Sequence, residues 1–267
     1  MTDRLNNKVA IVVGAGSIGA GWSNGKAAAV LYAREGARVL CLDISGEAAE
    51  DTARIIREEG GSAIAIRADA SKSVEIKAAV DACLAEFGRV DVLHNNVGIV
   101  AKGGVVELDE AEWDRVFAIN LKSVYLAMKH VIPHMAAQGG GSIVNVSSIA
   151  SLRFLGANYV SYYTSKAAIN HMTRVTAAEY AGRQVRVNAV LPGLMDTPMA
   201  RKSAMETHGV TEAGLTEAWK KRAERIPMGW MGDAWDVARA ALFFASDDSR
   251  FVTGAELVVD GGLTLKS

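Results

Sequence analysis

The chain has 267 residues, 50% of them hydrophobic and 22% charged, with a formal net charge of −1. That length and apolar content suit one large α/β domain, residues 1–267, with a substantial core. The near-zero charge leaves no electrostatic footprint for nucleic acid. No apolar run is long enough to span a bilayer, and the first residues lack the apolar stretch of a signal peptide. Cys41 and Cys83 lie in apolar or helical contexts and read as reduced core thiols of a cytoplasmic protein. No Cys/His cluster has metal-ligand spacing, so no metal is expected.

Val9 to Val13 is a short apolar run ending in Gly14, the pattern of a buried parallel strand. A glycine-rich turn follows, Gly14-Ala15-Gly16-Ser17-Ile18-Gly19-Ala20-Gly21-Trp22-Ser23-Asn24-Gly25-Lys26, and then a helical pattern over Ala27 to Glu35 closed by Gly36. In that context backbone N–H groups approach a pyrophosphate and a helix N-terminus stabilises its charge. Two registers of the turn compete. Gly14-x-Gly16-x-x-Gly19 would start the helix near Ile18 and place Gly21 and Gly25 inside it, at roughly 1 kcal/mol each against alanine. A later start makes Ser23 or Asn24 the N-cap. Gly14 serves a dinucleotide in either register, whereas Ser17, Ile18 and Gly25 depend on it. Trp22 either covers the cofactor or packs against the sheet edge.

Arg38 to Asp43 is the second strand, and it ends in an acid 18 residues beyond Gly25. A carboxylate there hydrogen-bonds adenosine ribose hydroxyls and repels a 2′-phosphate, which favours NAD over NADP. Asp43 also suits the N-cap of the helix expected over 46–59. Gly60-Gly61 breaks that helix, and Ser62 to Ala68 is a third strand ending at Asp69. A helix from about Val74 to Phe87 leads to a fourth strand, Val90 to His94, and then to Asn95-Asn96-Val97-Gly98. A lone histidine on an apolar strand reads as a hydrogen-bonded core residue rather than a catalyst.

Leu108 to Met135 contains one long helix with apolar residues at helical spacing, interrupted by Asn120. A buried mid-helix amide must find partners. Gly139-Gly140-Gly141 closes this unit, and a fifth strand runs to Ser147-Ser148. Tyr162-Tyr163-Thr164-Ser165-Lys166 follows on a helix. Four-residue spacing sets Tyr162 and Lys166 one turn apart on one face. A nearby ammonium favours the phenolate, at about 1.4 kcal/mol per pKa unit. A tyrosine tuned in this way takes a proton from an alcohol or gives one to a carbonyl. Gln184 to Val190 is a sixth strand, followed by Pro192-Gly193-Leu194-Met195-Asp196-Thr197-Pro198. Residues 198–228 are polar and mixed and read as a substrate flap. A helix over 233–245 and a closing strand ending near Asp260 complete the chain. Alternating strands and helices imply a doubly wound parallel sheet of about seven strands, in order 3-2-1-4-5-6-7, with helices on both faces.

The glycine turn, Asn95-Asn96-Val97-Gly98, Ser147-Ser148, Tyr162-x-x-x-Lys166 and Asn188-Ala189-Val190-Leu191-Pro192-Gly193 resemble, in this order, the short-chain dehydrogenase/reductase family over about residues 8–262. The family usually shows Gly-x-x-x-Gly-x-Gly at the turn, so this turn is about five residues longer. It also has alanine where Val97 stands. The resemblance implies a single-domain Rossmann fold and a catalytic set of Asn120, Ser148, Tyr162 and Lys166. It implies cofactor contacts from Gly14, Ser17, Ile18, Asp43, Asp69, Ala70, Asn96, Tyr162, Lys166 and Thr197. Asn120 would order a water that reaches Lys166, and Ser148 would bond the substrate oxygen. The expected activity is NAD-dependent oxidation of a secondary alcohol, in a homotetramer acting on a small molecule. Two alternatives stand beside it: an NADPH-dependent ketone or 3-oxoacyl reductase, and a non-catalytic dinucleotide sensor. Arg153, in the loop after Ser148, either pairs with an anionic group on the substrate or is solvated.

Overall fold

The computed structural model describes residues 3–266, the side chains of residues 207 and 208 excepted. The chain alternates strand and helix from its start. β1 (Val9–Val13), β2 (Arg38–Asp43) and β3 (Ser62–Arg67) are joined by α1 (Asn24–Arg34) and α2 (Gly46–Glu58). Helix α3 (Ser73–Phe87) leads to β4 (Val92–Asn95). Next come α4 (Glu110–Phe117), α5 (Ser123–Ala137), β5 (Gly141–Val146), α6 (Val160–Tyr180) and β6 (Val185–Pro192). The chain then forms β7 (Met195–Asp196), α7 (Pro198–His208), α8 (Leu215–Glu224), β8 (Gly232–Asp233), α9 (Ala234–Ala245) and β9 (Glu256–Val259).

Seven strands form one sheet in the order β3-β2-β1-β4-β5-β6-β9, and every neighbouring pair is parallel. This is the expected order, with β9 as the last strand. The apolar residues alternate across it, as a period of two requires. Ala10, Val12, Val39, Cys41, Val144 and Val190 pack on one face with α1, α2 and α9. Val9, Ile11, Leu40, Leu42, Ile143 and Val187 pack on the other with α3, α5 and α6. Both faces are therefore dry, and the strands are continuous apolar runs for that reason. Cys41 and Cys83 are free and buried. Burial pushes each thiol up to about 12, so both are inert core groups.

Two departures from the expected elements matter for the site. The long helix over 108–135 is broken by a π turn at Ala118–Lys122, between α4 and α5. The later start of α1 holds: it begins at Asn24, and the Ser23 hydroxyl accepts from the Lys26 N–H at 3.0 Å as N-cap. Beyond the main sheet, β7 and β8 pair in parallel, Met195 with Gly232 and Asp196 with Asp233. They close the base of the segment that carries α7 and α8. No helix among the described residues is long and apolar enough to cross a membrane.

Candidate active site

A cleft of about 340 Å³ opens at the carboxyl ends of the strands, where the order reverses between β1 and β4. One bank is built by β5 and α6. Ser147 and Ser148 end β5 and face different ways. The Ser147 hydroxyl donates to the Lys166 carbonyl at 3.0 Å and is structural. Ser148 lines the cleft, and its hydroxyl accepts from the Ala150 N–H at 3.1 Å. Ser148 is also hydrogen-bonded to the Tyr162 phenol. Tyr162 and Lys166 stand one turn apart on α6, with the ammonium nitrogen 5.7 Å from the phenol ring centroid.

The electrostatics differ from the expected tuning. Burial pushes the Tyr162 phenol above its ordinary value, and the Ser148 hydrogen bond pulls it back. Lys166, 3% exposed, is pushed down to about 8 by loss of water. Its ammonium donates to the Val146 carbonyl at 2.9 Å rather than to the phenol. One of its three protons is so used, and two remain for groups in the cleft.

Asn120 sits in the π turn, fully buried. Its Oδ1 accepts from the Ile99 N–H at 2.8 Å, and its Nδ2 donates to the Ile99 carbonyl at 3.0 Å and to the Ser165 hydroxyl at 3.1 Å. The expected carbonyl partner is thus Ile99. A side chain at Gly98 would begin 3.3 Å from the Lys166 ammonium and 3.7 Å from Asn120 Oδ1. Glycine leaves that corner between the two residues open.

The opposite bank is the glycine turn. A Cβ at Gly25 would lie 1.9 Å from the Gly14 carbonyl and 2.7 Å from Asn96 Nδ2, so backbone approaches backbone there. Asn96 Nδ2 donates to the Gly14 carbonyl at 3.3 Å. Ser23 and Asn24 line the cleft, and Asn24 Oδ1 is buried without a partner. Ser17 and Ile18 do not line it. The Ser17 hydroxyl donates to the Gly19 carbonyl, and Ile18 is 60% exposed. The reason is the longer turn, which carries 18–21 outward and gives the helix N-terminus to Ser23 and Asn24. Trp22 neither covers the cleft nor meets the sheet edge. It packs against Trp235 of α9 with the rings tilted by 58° and their centroids 4.7 Å apart.

Asp43 ends β2 as expected. Its carboxylate accepts from the Gly16 N–H at 2.9 Å and the Ser45 N–H at 3.0 Å. Ser45, not Asp43, is the N-cap of α2. Asp69 accepts from the N–H and hydroxyl of Ser71, a turn role, with Ala70 buried beside it. Thr197 lines the cleft and caps α7 by accepting from the Ala200 N–H at 3.3 Å. His94 is a core residue, as read from its strand. It is fully buried against the Tyr32 hydroxyl at 3.0 Å, and burial pushes it down to about 3.

Four arginines have surroundings that the sequence did not show. Arg153 is exposed, as the solvated reading has it, and does not line the cleft. It donates to the carbonyls of Leu263, Thr264 and Lys266. Arg222 and Arg225 from the flap line the cleft instead. Arg67, opposite Asp43 in the β2–β3 pairing, donates to the Ile44 carbonyl. Only cross-strand register brings it there.

The residues present fit a nicotinamide dinucleotide. A glycine approach leads into a helix N-terminus, an acid ends β2, and a buried ammonium has spare donors. Among the described residues no group of three or more His, Cys, Asp or Glu side chains could hold a metal.

Comparison with known proteins agrees with this geometry. The family model described as enoyl-(acyl carrier protein) reductase matches residues 19–264. The cis-4-hydroxycyclohexanecarboxylate dehydrogenase of Sinomonas cyclohexanicum is 42% identical, over 99% of both chains. The 3-oxoacyl-[acyl-carrier-protein] reductase of Thermotoga maritima is 38% identical, over 98% of this chain and 100% of that one. A crystal structure of a putative short-chain dehydrogenase/reductase from Burkholderia xenovorans is 45% identical and superposes over 99% of both chains with a TM-score of 0.91. Motif order, sheet order and these relatives agree: the chain belongs to the short-chain dehydrogenase/reductase family, nicotinamide-dependent oxidoreductases acting on CH–OH groups.

Proposed function

We propose that the protein is an NAD-dependent dehydrogenase of a secondary alcohol, with Tyr162 as general base. The observation that carries the reading is the convergence of Ser148, Tyr162 and Lys166 on one bank of the cleft, facing the Gly14–Gly25 approach on the other. A bound dinucleotide supplies the hydride acceptor. The chain supplies position and proton handling. Ser148 donates to the substrate oxygen while Tyr162 takes the hydroxyl proton. Lys166 holds the nicotinamide ribose with one spare donor and favours the phenolate once its charge is confined in the closed site. A water in the open corner at Gly98 joins Lys166 to Asn120 and carries that proton away, which restores Tyr162 as the base. Gly14, Asn24, Gly25 and Asn96 cradle the dinucleotide, Asp69 and Ala70 border its adenine, and Thr197 faces its carboxamide. Helices α7 and α8 form the lid.

Asp43 supports NAD, since it sits where a 2′-phosphate would be repelled. Lys26 gives NADP no help. It is tied to Asp51 at 2.5 Å and lies under Trp22, away from the cleft. Arg67 is the one observation that favours NADP, because it stands across from Asp43. A homotetramer is the assembly we assign, with Tyr125 on α5 and Val175 on α6, 48% and 52% exposed, as surface that partners would cover. A cytoplasmic location goes with the two reduced cysteines.

The test is turnover with NAD⁺ and with NADP⁺ across secondary alcohols, among them cyclohexanol, 4-hydroxycyclohexanecarboxylate and 3-hydroxyacyl thioesters. Tyr162→Phe runs beside the wild type. Turnover with NAD⁺ that the variant lacks is the expected result. A Tyr162→Phe protein with wild-type turnover would refute the base assignment. Preference for NADP⁺ that Arg67→Ala reverses would move the cofactor reading to the phosphate form.

A further inference from the structure

The cleft contains charge that the hydride chemistry does not use. Arg222 lies in the last turn of α8 and Arg225 is its C-cap, and both line the cleft together with Tyr159 and Tyr163. No aspartate or glutamate is among the lining residues. Other arginines near this lid are neutralised: Arg201 pairs with Asp196 at 2.7 Å, and Arg239 with Asp236 at 3.4 Å. Among the described residues Arg222 and Arg225 form no such pair. Arg225 Nη2 donates to the Leu155 carbonyl at 3.2 Å, which fastens the lid to the loop after Ser148. Arg222 lies over Trp219, with its guanidinium carbon 4.7 Å from the ring centroid. Its position is fixed by packing, and its charge is not answered. Loss of water pushes the Arg222 guanidinium below its ordinary value, Tyr159 opposes this, and Arg225 adds to it by repulsion.

Two adjacent guanidiniums on the wall of a partly dry cleft cost free energy unless an anion joins them. A guanidinium held against an aromatic ring keeps its donor fork in place, and that fork suits the two oxygens of a carboxylate. Val100, Leu155, Leu194 and Met199 give the same cleft an apolar share of its lining. We infer that Arg222, supported by Arg225, receives a carboxylate on the substrate, so that the enzyme acts on hydroxy acids or oxo acids whose two functional ends are separated by an apolar frame. The oxidised carbon lies at Ser148 and Tyr162, and the carboxylate lies at Arg222. This rests on the dehydrogenase reading and adds the substrate class to it. The carboxylate stays bound and unreacted, so the chemistry at the hydroxyl is unchanged.

The experiment uses ligands that cannot turn over. Cyclohexanecarboxylate and cyclohexanecarboxamide are each titrated by calorimetry into the protein saturated with oxidised dinucleotide. The acid is expected to bind about 10- to 100-fold more tightly than the amide, the range of a hydrogen-bonded ion pair. Arg222→Met is expected to bring that ratio close to one, and Arg222→Lys to restore part of it. Thermal melting of both variants shows whether they fold, and Arg225→Gln gives a second, milder loss. Equal binding of acid and amide to the wild type overturns the inference. So does an unchanged ratio in folded Arg222→Met. A dinucleotide affinity that falls by the same factor in that variant also overturns it, since the arginine would then serve the cofactor. Tyr162→Phe keeps the ratio and loses turnover. Anion selectivity without any turnover would therefore sink the dehydrogenase reading and leave the anion site standing.

Discussion

The two banks of the cleft are built on opposite principles. On the β5–α6 bank, side chains hold one another through backbone groups. Lys166 is fixed to the Val146 carbonyl, Ser147 to the Lys166 carbonyl, and Asn120 to both backbone groups of Ile99. On the glycine bank, position comes from the absence of side chains, since Gly25 meets the Gly14 carbonyl where a Cβ would overlap it. Between Ile18 and Gly21 that bank is exposed. The difference teaches where precision is needed. Proton transfer needs atoms placed to fractions of an ångström, whereas a pyrophosphate needs only an array of N–H donors at a helix end.

The contrast can be broken at its strongest point first. Tyr162→Phe should lower turnover by about 10²–10⁴-fold and leave dinucleotide affinity within a few fold. In the wild type, alcohol oxidation should rise with pH, because burial pushes the phenol up and oxidation needs the phenolate. Ketone reduction needs the neutral phenol and should fall as pH climbs through the same range. A flat pH profile for oxidation would remove Tyr162 from the role of base.

Gly25→Ala attacks the other bank. The clash is with backbone, which yields little, so we expect about 3 kcal/mol of lost stability and loss of measurable dinucleotide binding. Denaturant unfolding with and without cofactor reads both, and a melting curve like the wild type's would show that the close approach is not required. Asn120→Ala strips the Ile99 N–H and carbonyl of their partner. Each unsatisfied buried group costs about 1–3 kcal/mol, so a loss of about 3 kcal/mol with reduced turnover is expected. Turnover that fell with no loss of stability would point to the water relay alone.

A smaller effect lies behind β1. His94 is pushed down to about 3 in the folded protein, below its unfolded value near 6.5. The unfolded chain takes up that proton first. The associated stability is complete above pH 6.5 and is lost as pH falls toward 3. Between pH 6.5 and 5 the loss amounts to at most about 2 kcal/mol. His94→Leu should flatten this limb of the unfolding curve, and an unaltered limb would assign it to other groups. Smallest of all, Ile18→Ser should change stability by less than about 0.5 kcal/mol and turnover hardly at all, because Ile18 is solvent-facing. A large loss of cofactor affinity in that variant would restore Ile18 to the cofactor site.

Much of the architecture was legible because the signals were local. Apolar runs such as Val9–Val13 and a polar cap such as Ser23 are written in neighbouring residues. Tyr162 and Lys166 could be paired for the same reason, by helical spacing. What escaped was carried by distance along the chain. Arg222 and Arg225 enter the cleft because the β7–β8 pair closes the base of the lid. Arg153 reaches carbonyls more than a hundred positions away. The π turn escaped for a different reason. Apolar spacing near 118–122 suits either helical pitch, and the backbone bonding that distinguishes them leaves no mark in the sequence.

That turn has a consequence for how the chain tolerates insertions and deletions. A π turn holds about one residue more than an α turn. Deleting a single residue between Ala118 and Lys122 would let α4 and α5 merge into one regular helix, which is locally a gain. The same deletion would rotate everything on one side of it by about 100°. Asn120 would then leave Ile99, or Val116 would leave the core. The surplus residue is therefore a frame marker: the site sets the length here, while the helix alone would accept a shorter chain.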